Sequence, residues 1–216
     1  ADDALYYTAP RFVHHLDAVA RREVTEIYAA HLRNGTAILD LMSSWNSHLP
    51  DSLEGCTVVG LGLNREEMEH NSRLSEIVIH DLNRNKRLPF KENTFDTVIC
   101  TASIEYLTHP LEVINEVARV LRPQGKFITT FSDRWFPGKE ISLWSELHEF
   151  ERLGLVLDMY RQTGCFSQLE TKSVRGLPRP ANDPHISTRL LSDPVFSICG
   201  VRAPSSPVSG RSRLTV

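Results

Sequence analysis

Apolar residues recur along this chain in two rhythms that alternate from Thr36 onward. Short, nearly continuous apolar runs rich in β-branched residues predict strands at 36–41, 57–62, 76–80, 96–101, 126–131, about 167–174 and 195–201. Apolar positions three and four apart predict helices between and before them. One runs from Pro10 to Arg33, carried by Phe12, Val13, Leu16, Val19, Val24, Ile27, Tyr28 and Leu32, with Gly35 just past its end. A second follows the second strand, with Asn64 as N-cap, Glu67 three residues on and Met68 behind. A third spans Pro110 to Leu121, opened by proline and closed by Pro123 and Gly125. A fourth spans Ser142 to Gln162 and ends at Gly164. Strand–helix alternation of this kind predicts an α/β fold: a doubly wound, mostly parallel sheet of about seven strands with helices on both faces. Ligands bind such sheets outside the carboxyl ends of the strands, near the switch in strand order.

Length and composition narrow the picture. A chain of 216 residues, 41% hydrophobic and 24% charged, suits one domain with one core. A formal net charge of −3 with no basic stripe argues against nucleic acid. No apolar run approaches the ~20 residues of a membrane span. Cys56, Cys100, Cys165 and Cys199 are scattered, and Cys100 and Cys199 lie in strand-like runs that suit buried, inert thiols. The nine histidines show no ligand spacing, so no metal site is expected. The chain starts Ala1-Asp2-Asp3 without methionine, which fits either an arbitrary edge of the sequence or a mature end left by a removed targeting segment. The polar tail 204–216 is expected to be disordered by itself.

Two stretches carry a family resemblance. "LPFKENTFDTVICTASIEYL" (88–107) and "EVARVLRPQGKFI" (116–128) resemble, in order and spacing, elements of the class I S-adenosylmethionine-dependent methyltransferases, which have a Rossmann-like fold. Ahead of them fall "AILDL" (37–41) and "HDL" (80–82) in the expected order. The resemblance covers roughly Thr36 to Lys139. It implies a single domain over 1–203, with a helical cap at 1–35, a cofactor-binding core at 36–139 and a substrate-side region at 140–203 whose strand 195–201 is antiparallel.

By the same resemblance, S-adenosylmethionine is the cofactor and S-adenosylhomocysteine the product. Asp40 and the loop residues Met42, Ser43 and Ser44 would hold the amino acid end of the cofactor. Asp81 would accept from the adenine amino group, Leu82 would pack on the ring, and the backbone at Thr101, Ala102 and Ser103 would face the methyl. The chain departs from the family in three places. The glycines of the first loop are replaced by Met42, Ser43, Ser44 and Trp45. Gly62 stands where a ribose-binding acid is expected, with Asn64 two residues on as a neutral substitute, and Gln124 replaces a glycine of the turn before the fifth strand. "DLMSSW" with "LGLN" resembles a plant and algal branch in which serine and asparagine replace the usual groups together. That branch, with the missing methionine, points to a plastid.

No residue dictates the acceptor's nucleophile. Glu105, Tyr106 and His48 are the candidate acid–base groups, each with a structural reading beside the catalytic one. Ser43 and Ser44 also fit simple capping roles, and Trp45 is expected to wall the pocket or turn away. In "FSDRWFPGK" (131–139), Arg134 and Lys139 flank Trp135 and Phe136, which suits either an acceptor surface or packing under the last helix. The leading expectation is a methyltransferase acting on a small-molecule acceptor. The alternative is a catalytically silent subunit of a larger complex, with the cleft narrowed by Trp45 and the N- and C-terminal segments buried on a partner. A dinucleotide-dependent dehydrogenase would need GxGxxG after the first strand, and this loop has none.

Overall fold

The computed structural model describes residues 9–204, so the tail from 205 and the first eight residues, on which the partner-binding expectation rests, lie outside the described residues. A seven-stranded sheet is built from β1 (Ala37–Leu41), β2 (Thr57–Gly62), β3 (Glu76–Ile79), β4 (Phe95–Thr101), β5 (Leu121–Phe131), β6 (Phe166–Val174) and β7 (Val195–Arg202). Their spatial order is β3-β2-β1-β4-β5-β7-β6. β1 is parallel to β2 and β4, β2 to β3, and β4 to β5, while β7 runs antiparallel to both β5 and β6. The order reverses between β1 and β4, which opens a crevice at their carboxyl ends.

Helices cover both faces: α1 (Ala18–His31), the short α2 (Arg65–Glu69), α3 (Pro110–Val120) and α4 (Glu149–Thr163). Leu39 and Leu41 of β1 bury into the cluster that includes Val113, Ile114 and Val117 of α3 and Val156 and Tyr160 of α4. Ile38, one residue along and so on the other face, packs with Val24, Ile27 and Tyr28 of α1. A strand covered on both faces must be apolar at successive positions, and each such side chain contributes ~1.5–3 kcal/mol by leaving water. Asp40, the acid of this strand, is buried and lines the crevice.

The helices depart from expectation at two starts. The first begins at Ala18, eight residues after Pro10, because Asp17 accepts from the Val19 and Ala20 backbone N–H groups (2.8 and 3.1 Å) and so caps the helix there. Asp17 is itself held by Ser192 and the Asp193 N–H, 2.6–2.9 Å away, from a segment 175 residues distant. Phe12 and Val13, expected in the core, are exposed. The last helix is interrupted: a single 3₁₀ turn at Trp144–Glu146 precedes α4, whose start is a capping box between His148 and Glu151. Trp144 is fully buried in that turn. Gly164 ends α4 in the left-handed conformation, as expected.

Candidate functional site

The loop after β1 reaches its shape without glycine. Met42 adopts φ 60°, the left-handed region that glycine occupies at no steric cost. The next residue clips the loop to the sheet: the Ser43 N–H donates to Leu61 O at 2.8 Å. The Ser43 and Ser47 hydroxyls both donate to Asp40 Oδ2, at 2.7 and 2.6 Å. Asn71 donates to Ser47 Oγ (2.8 Å) and to the Ser44 carbonyl (2.9 Å). Ser44 Oγ donates to Glu67 Oε2 at 2.6 Å, and Glu67 Oε1 accepts the Arg11 N–H at 2.8 Å. Hydroxyls and one amide thus supply the fixation of this loop. Burial pushes the Asp40 carboxyl up to about 6, against the opposing pull of the two serine hydroxyls.

Gly62 has a steric reason to be glycine. A Cβ there would stand 2.3 Å from the Ser43 carbonyl oxygen and 3.1 Å from Met68 Sδ. The loop after β1 therefore excludes any acid at the end of β2. Asn64, the expected substitute, lines the cleft, but its Oδ1 caps α2 by accepting the Glu67 N–H at 3.0 Å. The carboxylate that reaches the cleft from this element is Glu67, itself buried.

Asp81 and Leu82 follow β3 at the cleft. Asp81 Oδ1 accepts the Asn83 and Arg84 N–H groups at 2.9 and 3.2 Å, which fixes the turn and aims the residue. Thr101 ends β4 with its hydroxyl 2.5 Å from that of the buried Tyr28, and Ala102 takes a left-handed φ of 45° while its N–H donates to Thr130 O at 2.7 Å. The cleft thus gathers Asp40, Met42, Ser43, Ser44, Gly62 and Asn64 with Asp81, Leu82, Thr101, Ala102 and Ser103.

The candidate acid–base residues separate. His48 and Tyr106 line the cleft, whereas Glu105 does not: it turns into the core, fully buried. Neither Glu105 carboxyl oxygen has a hydrogen-bond partner among the described residues, and burial raises its pKa to about 8, which suits a protonated structural group. His48 also holds a left-handed backbone, φ 53°, fixed by its N–H to Asn46 Oδ1 (2.8 Å) and by the Thr25 hydroxyl on its carbonyl (3.0 Å). Burial, then Arg21 and His14, lower the His48 pKa to about 4, so the imidazole is neutral at neutral pH. Tyr106 accepts the Phe136 N–H on its hydroxyl at 2.9 Å and so latches the segment after β5.

Residues 10–17, expected as the start of the first helix, form with residue 9 a strap along the mouth of the cleft. His14 packs on Trp45 (ring centroids 4.5 Å apart) and His15 on Phe136 (4.7 Å). Trp45 therefore stands as a wall of the cleft. The aromatic pair after β5 divides: Phe136 lines the cleft, while Trp135 packs on the Arg152 guanidinium at 4.3 Å. Sequence reasoning missed Ser47, Asn71, Arg11 and the site role of Glu67, which carried only a helix-start signal. Among the described residues, no group of three His, Cys, Asp or Glu could hold a metal, and no helix is long and apolar enough to cross a membrane.

Comparison with known proteins agrees with this geometry. Residues 45–129 match the family model of a methyltransferase domain, so the match begins at Trp45, the last residue of the altered loop. Ubiquinone/menaquinone biosynthesis C-methyltransferase UbiE of Chromobacterium violaceum is 30% identical over 94 residues, 43% of this chain and 37% of that protein. The chain thus matches less than half the length of that relative. A SAM-dependent methyltransferase from Aquifex aeolicus superposes with a TM-score of 0.53 at 15% identity, covering 88% of this chain and 92% of the other. Haemonchus contortus phosphoethanolamine N-methyltransferase 2, solved in complex with S-adenosyl-L-methionine, superposes with a TM-score of 0.57 at 14% identity over 87% of this chain and 53% of that one. Residues 45–129 are thus similar to a methyltransferase domain, and the described chain shares the fold of these S-adenosylmethionine-dependent methyltransferases.

Proposed function

We propose that the protein transfers a methyl group from S-adenosylmethionine to a small-molecule acceptor. The observation that carries this reading is the convergence of Asp40, Glu67 and Asp81 with the apolar Leu82 at one crevice, at the point where strand order reverses. The donor set fits the cofactor's parts. Asp40 Oδ2 is taken by two hydroxyls, and the carboxylate suits the ammonium end of the cofactor. Asp81 and Leu82 suit the adenine amino group and ring. Glu67 supplies the carboxylate for ribose hydroxyls that Gly62 cannot carry.

When bound, the cofactor supplies an electrophilic methyl on a sulfonium. Methyl transfer needs alignment above all, and this chain provides it through the rigid Thr101–Ser103 turn and the wall formed by Trp45, Tyr106 and Phe136. His48 is the group assigned to take a proton from the acceptor, since its ring is uncharged at neutral pH and lines the cleft. The named activity of the UbiE relative supports carbon as one acceptor atom to test. The experiment is formation of S-adenosylhomocysteine by the full chain with a panel of phenols, quinols, amines and carboxylates. Acceptor-dependent product that falls at least tenfold in His48→Gln is the expected result. Absence of product with every acceptor class, in protein that binds the cofactor, would refute turnover.

A further inference from the structure

The cleft carries charges of both signs. Asp40, Glu67 and Asp81 line it together with Arg11, Arg21 and four histidines, and Glu67 is engaged by the Arg11 N–H at 2.8 Å. Arg21, in the first turn of α1, is half-buried and lines the cleft. Its Nη1 donates to the Leu16 carbonyl at 2.9 Å. The carboxylates that act on it through space, Asp17 and Asp183, are both ion-paired with Arg179, at 3.5 and 3.2 Å. A guanidinium has five N–H donors in a planar fork, and the Leu16 carbonyl takes one of them. The imidazoles beside it bring no balancing charge: Arg21 contributes to lowering the pKa of both His14 and His48. Flat rings line the same cleft, Trp45 against His14 and Phe136 against His15.

A half-buried cation without a carboxylate of its own, beside aromatic walls, is a site for a planar anion. We propose that the acceptor is a flat, ring-bearing molecule with a carboxylate that pairs with Arg21 while its ring lies against Trp45 and Phe136. The inference rests on the methyl-transfer reading and names the acceptor class for it.

The test uses 2-naphthoate and its neutral isostere 2-naphthamide, titrated calorimetrically into the full chain with and without S-adenosylhomocysteine. The carboxylate should bind at least about tenfold more tightly than the amide. Arg21→Gln should remove that preference, and Arg21→Lys should retain part of it, with S-adenosylhomocysteine affinity serving as the control for an intact cleft. Equal affinity for the two probes, binding of neither, or an undiminished preference in Arg21→Gln would overturn the proposal. Should Arg21→Gln fail to fold, the preference in the native chain and in Arg21→Lys decides. A carboxylate preference without any S-adenosylhomocysteine binding would instead refute the methyl-transfer reading and leave the anion site standing.

Discussion

Restoring the family's missing acid at position 62 should damage the protein and not improve it. An added Cβ would lie 2.3 Å from the Ser43 carbonyl oxygen, about 1 Å inside ordinary contact. The obstacle is backbone, held by the Ser43 N–H bond to Leu61 O at 2.8 Å, so no rotamer change relieves it. Overpacking a closed site costs ~1–3 kcal/mol, and separating the loop from β2 would forfeit a hydrogen bond worth about 1 kcal/mol more. Gly62→Ala should therefore lose roughly 2–4 kcal/mol, and Gly62→Asp more, since it also buries a charge beside Asp40. At roughly 2–4 °C per kcal/mol for a chain of this size, Tm should fall by about 4–16 °C in Gly62→Ala. Urea denaturation and calorimetry read the stability; S-adenosylhomocysteine titration reads the pocket, which should weaken along with it. A neutral Gly62→Ala, or a Gly62→Asp that folds normally and binds the cofactor more tightly, would refute the reasoning.

Other substitutions probe the buried charges. Because burial raises the folded-state pKa of Asp40 to about 6, its share of stability is full below the usual carboxylate range and falls as pH rises toward 6. Asp40→Asn should accordingly gain about 1–3 kcal/mol over the native chain at pH 8, measured without ligand, while losing cofactor affinity. Glu105 follows the same sign over a wider window, from its ordinary value up to about 8: Glu105→Gln should become progressively more stable than the native chain across that range, with turnover unchanged at pH 7. A turnover loss there would return Glu105 to the catalytic site. Arg179, almost wholly buried, pairs with Asp193 at 2.5 Å and with Asp17 at 3.5 Å. Arg179→Met leaves Asp17 without its ion pair and Asp193 with Arg189 alone (2.9 Å), and should cost about 3 kcal/mol in chemical denaturation, with the strap over the cleft becoming more accessible to protease.

The sheet was legible because each strand's apolarity is local information. β2 falls on the predicted residues 57–62, and the antiparallel β7 departs by one residue at its end. The strap at 9–17 was not legible, because its spacing of Phe12, Val13 and Leu16 fits a helix, and what stops the helix is Asp17 bonded to residues 192 and 193. α4 was lengthened for a similar reason: the 3₁₀ turn is set by Trp144 burying against Phe131, at 5.3 Å between ring centroids, and not by any breaker in the sequence. At the site, the motifs located Asp40, Asp81 and Leu82 at the cleft, but Glu105 and Tyr106, adjacent in sequence, point to opposite environments. The loss of the acid at Gly62 was visible in the sequence; its cause, the approach of the Ser43 carbonyl, is a contact between segments.

The central claim is that the glycine-free loop forms a live cofactor pocket. A thermal shift with S-adenosylhomocysteine, for the native chain and for Asp81→Ala, tests it most directly. Ligand at ~100 times its dissociation constant stabilises a protein by ~2.7 kcal/mol, or about 5–10 °C at this size. The account predicts a rise of that order in the native chain and its loss in Asp81→Ala. No shift at millimolar ligand in the native chain would contradict it.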